Sequence, residues 1–175
     1  MLKKLLKPIF GMLLALIMLS TGAKAALATT YIYANNQGGV YTEYGDGQYW
    51  YTHNNEGYCG HIDGSCSPTY MKYTYSGCTL SNYAVWDNPD WNNWEMHDVF
   101  VPRVDATTRN APYTLTYYQW WSFGWGVDQY SYYDNWVRTT PGDPWWLEIR
   151  NTWLDDNPCE GGSPKIGFDE IKITL

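Results

Sequence analysis

Clustered tryptophans are the residues of this chain whose spacing suggests a chemistry. Three indoles and a phenyl ring crowd into Trp120-Trp121-Ser122-Phe123-Gly124-Trp125-Gly126. Adjacent residues on a strand point to opposite faces, so Trp120 and Trp121 can both be core only if both faces are covered. Contiguous exposed apolar area marks a binding surface. The C–H face of a pyranose stacks on an indole, and its hydroxyls need amides and carboxylates beside the ring. Asp128, Gln129, Tyr130 and Asn135 follow closely and could supply them. Trp145-Trp146 repeats the pattern, with Arg150 on the Trp146 face of the same strand. Trp86, Trp91 and Trp94 surround the turn Asp87-Asn88-Pro89-Asp90. The expected ligand set is Trp120, Trp121, Trp125, Trp146, Asp128, Gln129 and Arg150. The competing reading is that most indoles fill a core in which aliphatic residues are scarce.

Catalysis finds less support. A glycosidase needs two carboxyl groups at a fixed separation, and Glu95, Asp98, Glu148, Asp155 and Asp156 are candidates only as any acid is. His97-Asp98 has no serine partner at a recognisable spacing, and G-x-S-x-G is absent. Cys59-Gly60-His61 could imitate a thiol beside a base, but a disulfide is the better use of that cysteine in an exported chain. No cofactor is expected. Asp155-Asp156-Asn157 and Asp169-Glu170 are oxygen-rich enough for a structural calcium, though a solvated acidic turn explains them as well. His53 and His61 lack a C-x-x-C partner for zinc.

The elements that must hold these residues follow from composition. Among 175 residues there are 11 Trp and 17 Tyr but only 4 Phe, and charged residues make up 17%. That profile excludes a coiled coil, a multi-span membrane protein and a charged disordered tail. Lys3, Lys4 and Lys7 precede an apolar run from Ile9 to Leu19 and then Ala23-Lys24-Ala25, the layout of a signal peptide over residues 1–25. Cleavage is expected after Ala25, with Ala28 as the alternative. No membrane span is expected after cleavage, because the run is shorter than the roughly 20 residues a span needs. Removing residues 1–25 takes four Lys and no acid, leaving seven basic against 18 acidic residues and a net charge of −11. Such a charge opposes nucleic acid and anionic membranes, and leaves glycans and other envelope proteins as partners. The expected location is secreted, extracellular or periplasmic.

Residues 26–175 have the length of one domain. Short β-rich runs separated by Gly, Asn, Asp and Pro give strands near 31–33, 40–44, 48–52, 70–75, 83–86, 94–101, 113–121, 126–133, 136–139, 145–151 and 166–175. No window holds a helical period for three turns. Alternation assigns Tyr113, Leu115 and Tyr117 to a core face, with Trp145, Leu147 and Ile149 on another. Cys59, Cys66, Cys78 and Cys159 imply two disulfides; of three connectivities, Cys59–Cys66 with Cys78–Cys159 is favoured.

The order Tyr83-Ala84-Val85-Trp86, Val99-Phe100-Val101-Pro102, Ala111-Pro112-Tyr113-Thr114-Leu115, Val127-Asp128-Gln129, Asn135-Trp136-Val137, Pro144-Trp145-Trp146-Leu147-Glu148-Ile149 and Gly167-Phe168-Asp169-Glu170-Ile171 resembles the golvesin/xanthan-lyase carbohydrate-binding-like domain. It does so over about residues 40–175. The closing strand reads Phe-Asp-Glu-Ile where the family favours Ala-Asp-Ala-Val, and the four cysteines lie outside the pattern. The resemblance implies an all-β, antiparallel, jelly-roll-like β-sandwich of about ten strands, here stapled by disulfides, with a sugar-binding role. The resulting expectation is a secreted, non-catalytic carbohydrate-binding module. The rivals are an envelope or matrix protein that uses the same aromatics for protein contact, and a small hydrolase.

Overall fold

A computed structural model describes residues 28–35, 37–64, 66–67, 69–89, 96–117, 121–140 and 148–175. Twelve strands lie among them: β1 (Thr30–Tyr33), β2 (Tyr41–Tyr44), β3 (Tyr51–Asn54), β4 (Tyr70–Tyr75), β5 (Tyr83–Asp87), β6 (Met96–Val101), β7 (Ala111–Tyr117), β8 (Ser122–Val127), β9 (Asn135–Arg138), β10 (Ile149–Asp155), β11 (Lys165–Phe168) and β12 (Ile171–Thr174). Every pairing is antiparallel. Three sheets run β1-β12-β6-β9, β2-β5-β10-β7-β8 and β11-β4-β3. Neighbours such as β5, β10 and β7 are distant in sequence, so long connections cross the molecule as in sandwich folds. The all-β antiparallel expectation holds.

One core joins the sheets. Ala84, Trp86, Tyr113 and Leu154 from the five-stranded sheet meet Val99, Val101, Ile171 and Ile173, and Ile166 and Phe168 from the third sheet. Aliphatic side chains make up most of this core, and Tyr33, Trp86, Tyr113 and Phe168 are its aromatic members, fewer than the composition implied. Trp86 is core and packs on Tyr41 with ring centroids 5.1 Å apart. Tyr113 and Leu115 are buried as alternation required, while Tyr117 is half-buried near the sheet edge. On β6 the alternation is hidden because both faces are covered. Phe100 is buried opposite Val99 and Val101, against Tyr58 and Trp136.

Both disulfides pair as favoured, Cys59–Cys66 and Cys78–Cys159. The Cys59 thiol is therefore spent, and the nucleophile reading of Cys59-Gly60-His61 falls. Cys59 sits in a single helical turn, Tyr58–Ile62.

Two expected strands divide. The run over 166–175 breaks at Asp169-Glu170, whose buried carboxylates accept the Tyr58 N–H at 2.9 Å (Asp169 Oδ2) and 3.3 Å (Glu170 Oε2). Gly57 precedes that turn with φ +83, and a Cβ there would lie 2.5 Å from the Asp169 carboxylate oxygens. Glycine is thus needed twice over, for its conformation and for its missing side chain. The run over 113–121 ends at Tyr117, whose N–H donates to the Trp121 carbonyl at 2.8 Å and so starts the pairing with β8.

Candidate functional site

β8 is the outermost strand of the five-stranded sheet, and its register on β7 sets what it displays. Directly opposed residues of an antiparallel pair share a face. Phe123 faces with Leu115, Trp125 with Tyr113 and Val127 with Ala111. Trp121 continues the series beside Tyr117. Of β8 only Val127 joins the core, and its aromatic rings stand at the core's margin. Trp121 is 76% exposed, Phe123 38% and Trp125 40%, while Val127 is buried and anchors one end.

The result is a row of three rings on one face of an edge strand. Phe123 and Trp125 lie 5.9 Å apart at a 37° tilt. At about 3.3 Å per residue, Trp121 to Trp125 spans roughly 13 Å along the strand. The opposite face carries only Ser122, Gly124 and Gly126. Asn110 fills the place of the Gly126 side chain, its Oδ1 within 2.0 Å of where a Cβ would stand.

The other expected contact residues lie in varied places. Asp128 caps the turn Gln129–Ser131, accepting the Ser131 N–H at 3.2 Å and the Ser131 hydroxyl at 2.6 Å. Arg109 stands 3.9 Å from the Asp128 carboxylate, with its guanidinium 4.2 Å over the exposed Tyr130 ring. Gln129 corrects the surface reading. It is fully buried and clamps β11: its amide nitrogen donates to the Gly167 carbonyl at 2.9 Å and the Tyr113 hydroxyl at 3.2 Å, and its oxygen accepts the Gly167 N–H at 3.0 Å. The turn capped by Asp128 aims this side chain inward, which the sequence alone does not show. Arg150 is half-buried on β10. Trp120 and Trp146 lie outside the described residues, as do Trp91, Trp94, Glu95 and Trp145.

One aromatic array escaped sequence reasoning. Tyr44, Tyr83 and Trp153 form a stack across β2, β5 and β10, with centroids 4.7 and 5.2 Å apart and rings parallel within 8° and 5°. Its members are distant in sequence, and only strand register brings them together.

Two of the carboxylates considered for chemistry, Asp98 and Asp156, are engaged structurally. Asp98 takes Arg138 Nε at 2.5 Å and Lys172 Nζ at 3.2 Å. Asp156 accepts the backbone N–H groups of Ser81 and Asn82 at 2.9 and 2.8 Å. Burial pushes the Asp155, Asp156, Asp169 and Glu170 carboxyls above their usual range. His97 is fully buried, which holds its imidazole down to about 4. No group of three or more His, Cys, Asp or Glu stands around a common metal position among the described residues. No helix among them is long and apolar enough to cross a membrane.

No family model and no curated protein matches the sequence. Among solved structures, the chain is similar to a Paenibacillus xanthan lyase, with a TM-score of 0.60 and 11% identity over 83% of this chain. It spans 13% of that enzyme's length. A K2 cleaved adhesin domain of Lys-gingipain also aligns, at a TM-score of 0.43 and 11% identity over 84% of this chain and 100% of that one. At this identity the xanthan lyase likeness establishes one thing: this chain has the fold of a segment of that enzyme.

Proposed function

We propose that this chain is a secreted, non-catalytic carbohydrate-binding domain of the golvesin/xanthan-lyase type, freed of a signal peptide over residues 1–25. It grips a glycan chain along the β8 row. Trp121, Phe123 and Trp125 stack on successive sugar faces, and Asp128 and Arg150 are proposed to read hydroxyls nearby. Trp120 and Trp146 remain candidate contacts from the sequence. Gln129 is omitted because its hydrogen-bonding groups are consumed in the core. The observation that carries this reading is the row itself: three large rings left partly or mostly exposed on one face, with only Ser122, Gly124 and Gly126 on the other. Leaving such area wet without a ligand is unfavourable, by about 25 cal/mol per Å². Fold likeness to a xanthan lyase segment supports the family placement, and two disulfides agree with export.

Affinity electrophoresis through gels cast with neutral polysaccharides tests it. Wild type should be retarded in at least one gel, and the Trp121→Ala/Trp125→Ala double variant should run free. If no polysaccharide of a broad panel retards the wild type, the reading is wrong.

A second reading has one specific observation behind it. Edge strands usually carry charges or proline that block pairing, and Ser122-Phe123-Gly124-Trp125-Gly126-Val127 carries neither. An envelope or matrix protein could use that edge to add a strand to a partner. Self-association abolished by Gly124→Lys, with no sugar bound, would favour it.

A further inference from the structure

A pocket of about 130 Å³ is lined by Tyr49, Tyr51, Tyr75, Gly77, Ser81 and Asp156, and shares no residue with the β8 row. Its three rings come from three separate elements: the turn Gly47–Tyr49, β3 and the end of β4. All three rings are substantially exposed. Tyr51 and Tyr75 meet at 83° with centroids 5.4 Å apart, so two walls stand almost perpendicular. A flat sugar ring gains from one broad platform. Perpendicular walls suit a compact, rounded group that several ring faces can surround.

The floor is rigid and acidic. Asp156 is buried, with both carboxylate oxygens fixed by the Ser81 and Asn82 N–H groups. Gly77 donates its N–H to the Asp156 carbonyl at 2.8 Å and accepts the Cys159 N–H at 3.0 Å, beside the Cys78–Cys159 bridge. No Lys, Arg or His lines the pocket. The neighbouring tyrosines already attract a cation, Lys165 Nζ, which stands 4.6 Å from the Tyr73 ring and 5.7 Å from the Tyr75 ring and does not line the pocket. That ammonium is balanced by Asp105. Ring faces present negative charge to cations, and Tyr cages with an acid are built for alkylated ammonium groups.

We propose that this pocket is an aromatic cage for a quaternary or polymethylated ammonium group. The ring faces hold the methyls and Asp156 supplies the countercharge. This site is independent of glycan binding on β8, and either can fail without the other.

Amide chemical shifts of the full chain, titrated with choline chloride, test the cage. Gly77 and Ser81 should shift saturably, and 3,3-dimethylbutanol, the uncharged isostere, should bind about tenfold more weakly. Tyr75→Ala should lose about tenfold in choline affinity, and Trp125→Ala should lose nothing. Should Tyr75→Ala fail to fold, Tyr49→Leu keeps apolar bulk at an exposed position, removes one ring face, and should weaken choline severalfold. Equal affinity for choline and its isostere overturns the proposal. So does saturation of the same amides by methyl glucoside with choline inert, or the absence of any saturable shift with choline.

Discussion

Tyr113 on β7 and Trp125 on β8 stand directly opposite in register and share one face of the sheet, yet Tyr113 is buried and Trp125 is 40% exposed. One strand spacing, roughly 4.8 Å, separates core from solvent. Their substitutions should therefore behave as opposites. Tyr113→Ala empties a filled site and should cost about 3–5 kcal/mol in urea unfolding. Trp125→Ala should cost under about 1 kcal/mol while removing ligand retention in the polysaccharide gel. A Trp125→Ala variant that unfolds as readily as Tyr113→Ala would make the indole a core residue and end its role as a platform.

Gln129 makes a prediction of the contrary kind. Its amide replaces a strand partner for Gly167 and satisfies the Tyr113 hydroxyl. Gln129→Leu leaves a buried N–H and C=O of Gly167 without their partner, so unfolding free energy should fall by about 2–4 kcal/mol. Glycan retention by the fraction that folds should be unchanged. Retention lost at full stability would return Gln129 to the binding surface.

These two residues show what was legible beforehand. Alternation within a strand is a local property, and it placed Tyr113, Leu115 and Ile149 inside. Cysteine parity and spacing gave both bridges. The aromatic density around Trp121 and Trp125 announced a surface, although the strand that carries them starts only after Tyr117 reverses the pairing. Gln129 was misplaced because a polar residue after a strand reads as loop, and its partner Gly167 lies far along the chain. The Tyr44–Tyr83–Trp153 stack and the Tyr49, Tyr51 and Tyr75 cage were invisible for the same reason. Cross-strand register assembles the stack, and a turn and two strands meeting in space assemble the cage; no single segment encodes either.

The two disulfides should differ in weight. Cys78–Cys159 spans a sequence separation of 81 and Cys59–Cys66 one of 7. Closing the longer loop removes more freedom from the unfolded chain, about 4 kcal/mol against about 2 in the chain-entropy model. Paired Cys→Ser variants compared by urea unfolding should follow that order. Cys78→Ser/Cys159→Ser should also weaken choline binding, because the bridge braces Gly77 beneath the cage. The reverse order of stability would mean that the Tyr58–Ile62 turn, rather than loop closure, dominates.

His97 and the Asp169–Glu170 pair pull stability in opposite directions with pH. Burial holds the His97 imidazole down to about 4 against an ordinary 6.5. Between those values the unfolded chain binds the proton and the folded chain does not, so stability falls as pH drops through this window. The contribution is complete above 6.5 and amounts to roughly 3 kcal/mol across the window. For Asp169 and Glu170, burial pushes both carboxyls up, and Glu170's charge raises Asp169 further. Here the folded chain keeps protons that the unfolded chain releases from about pH 4 upward, so this contribution falls as pH rises. Asp169→Asn retains an oxygen for the Tyr58 N–H and has no charge to bury. It should therefore gain on wild type toward neutral pH and match it in acid. His97→Gln should lose stability at neutral pH yet flatten the acid limb. Urea midpoints measured from acid to neutrality separate the two, and an Asp169→Asn curve parallel to wild type would remove the carboxyl pair as a source of pH dependence.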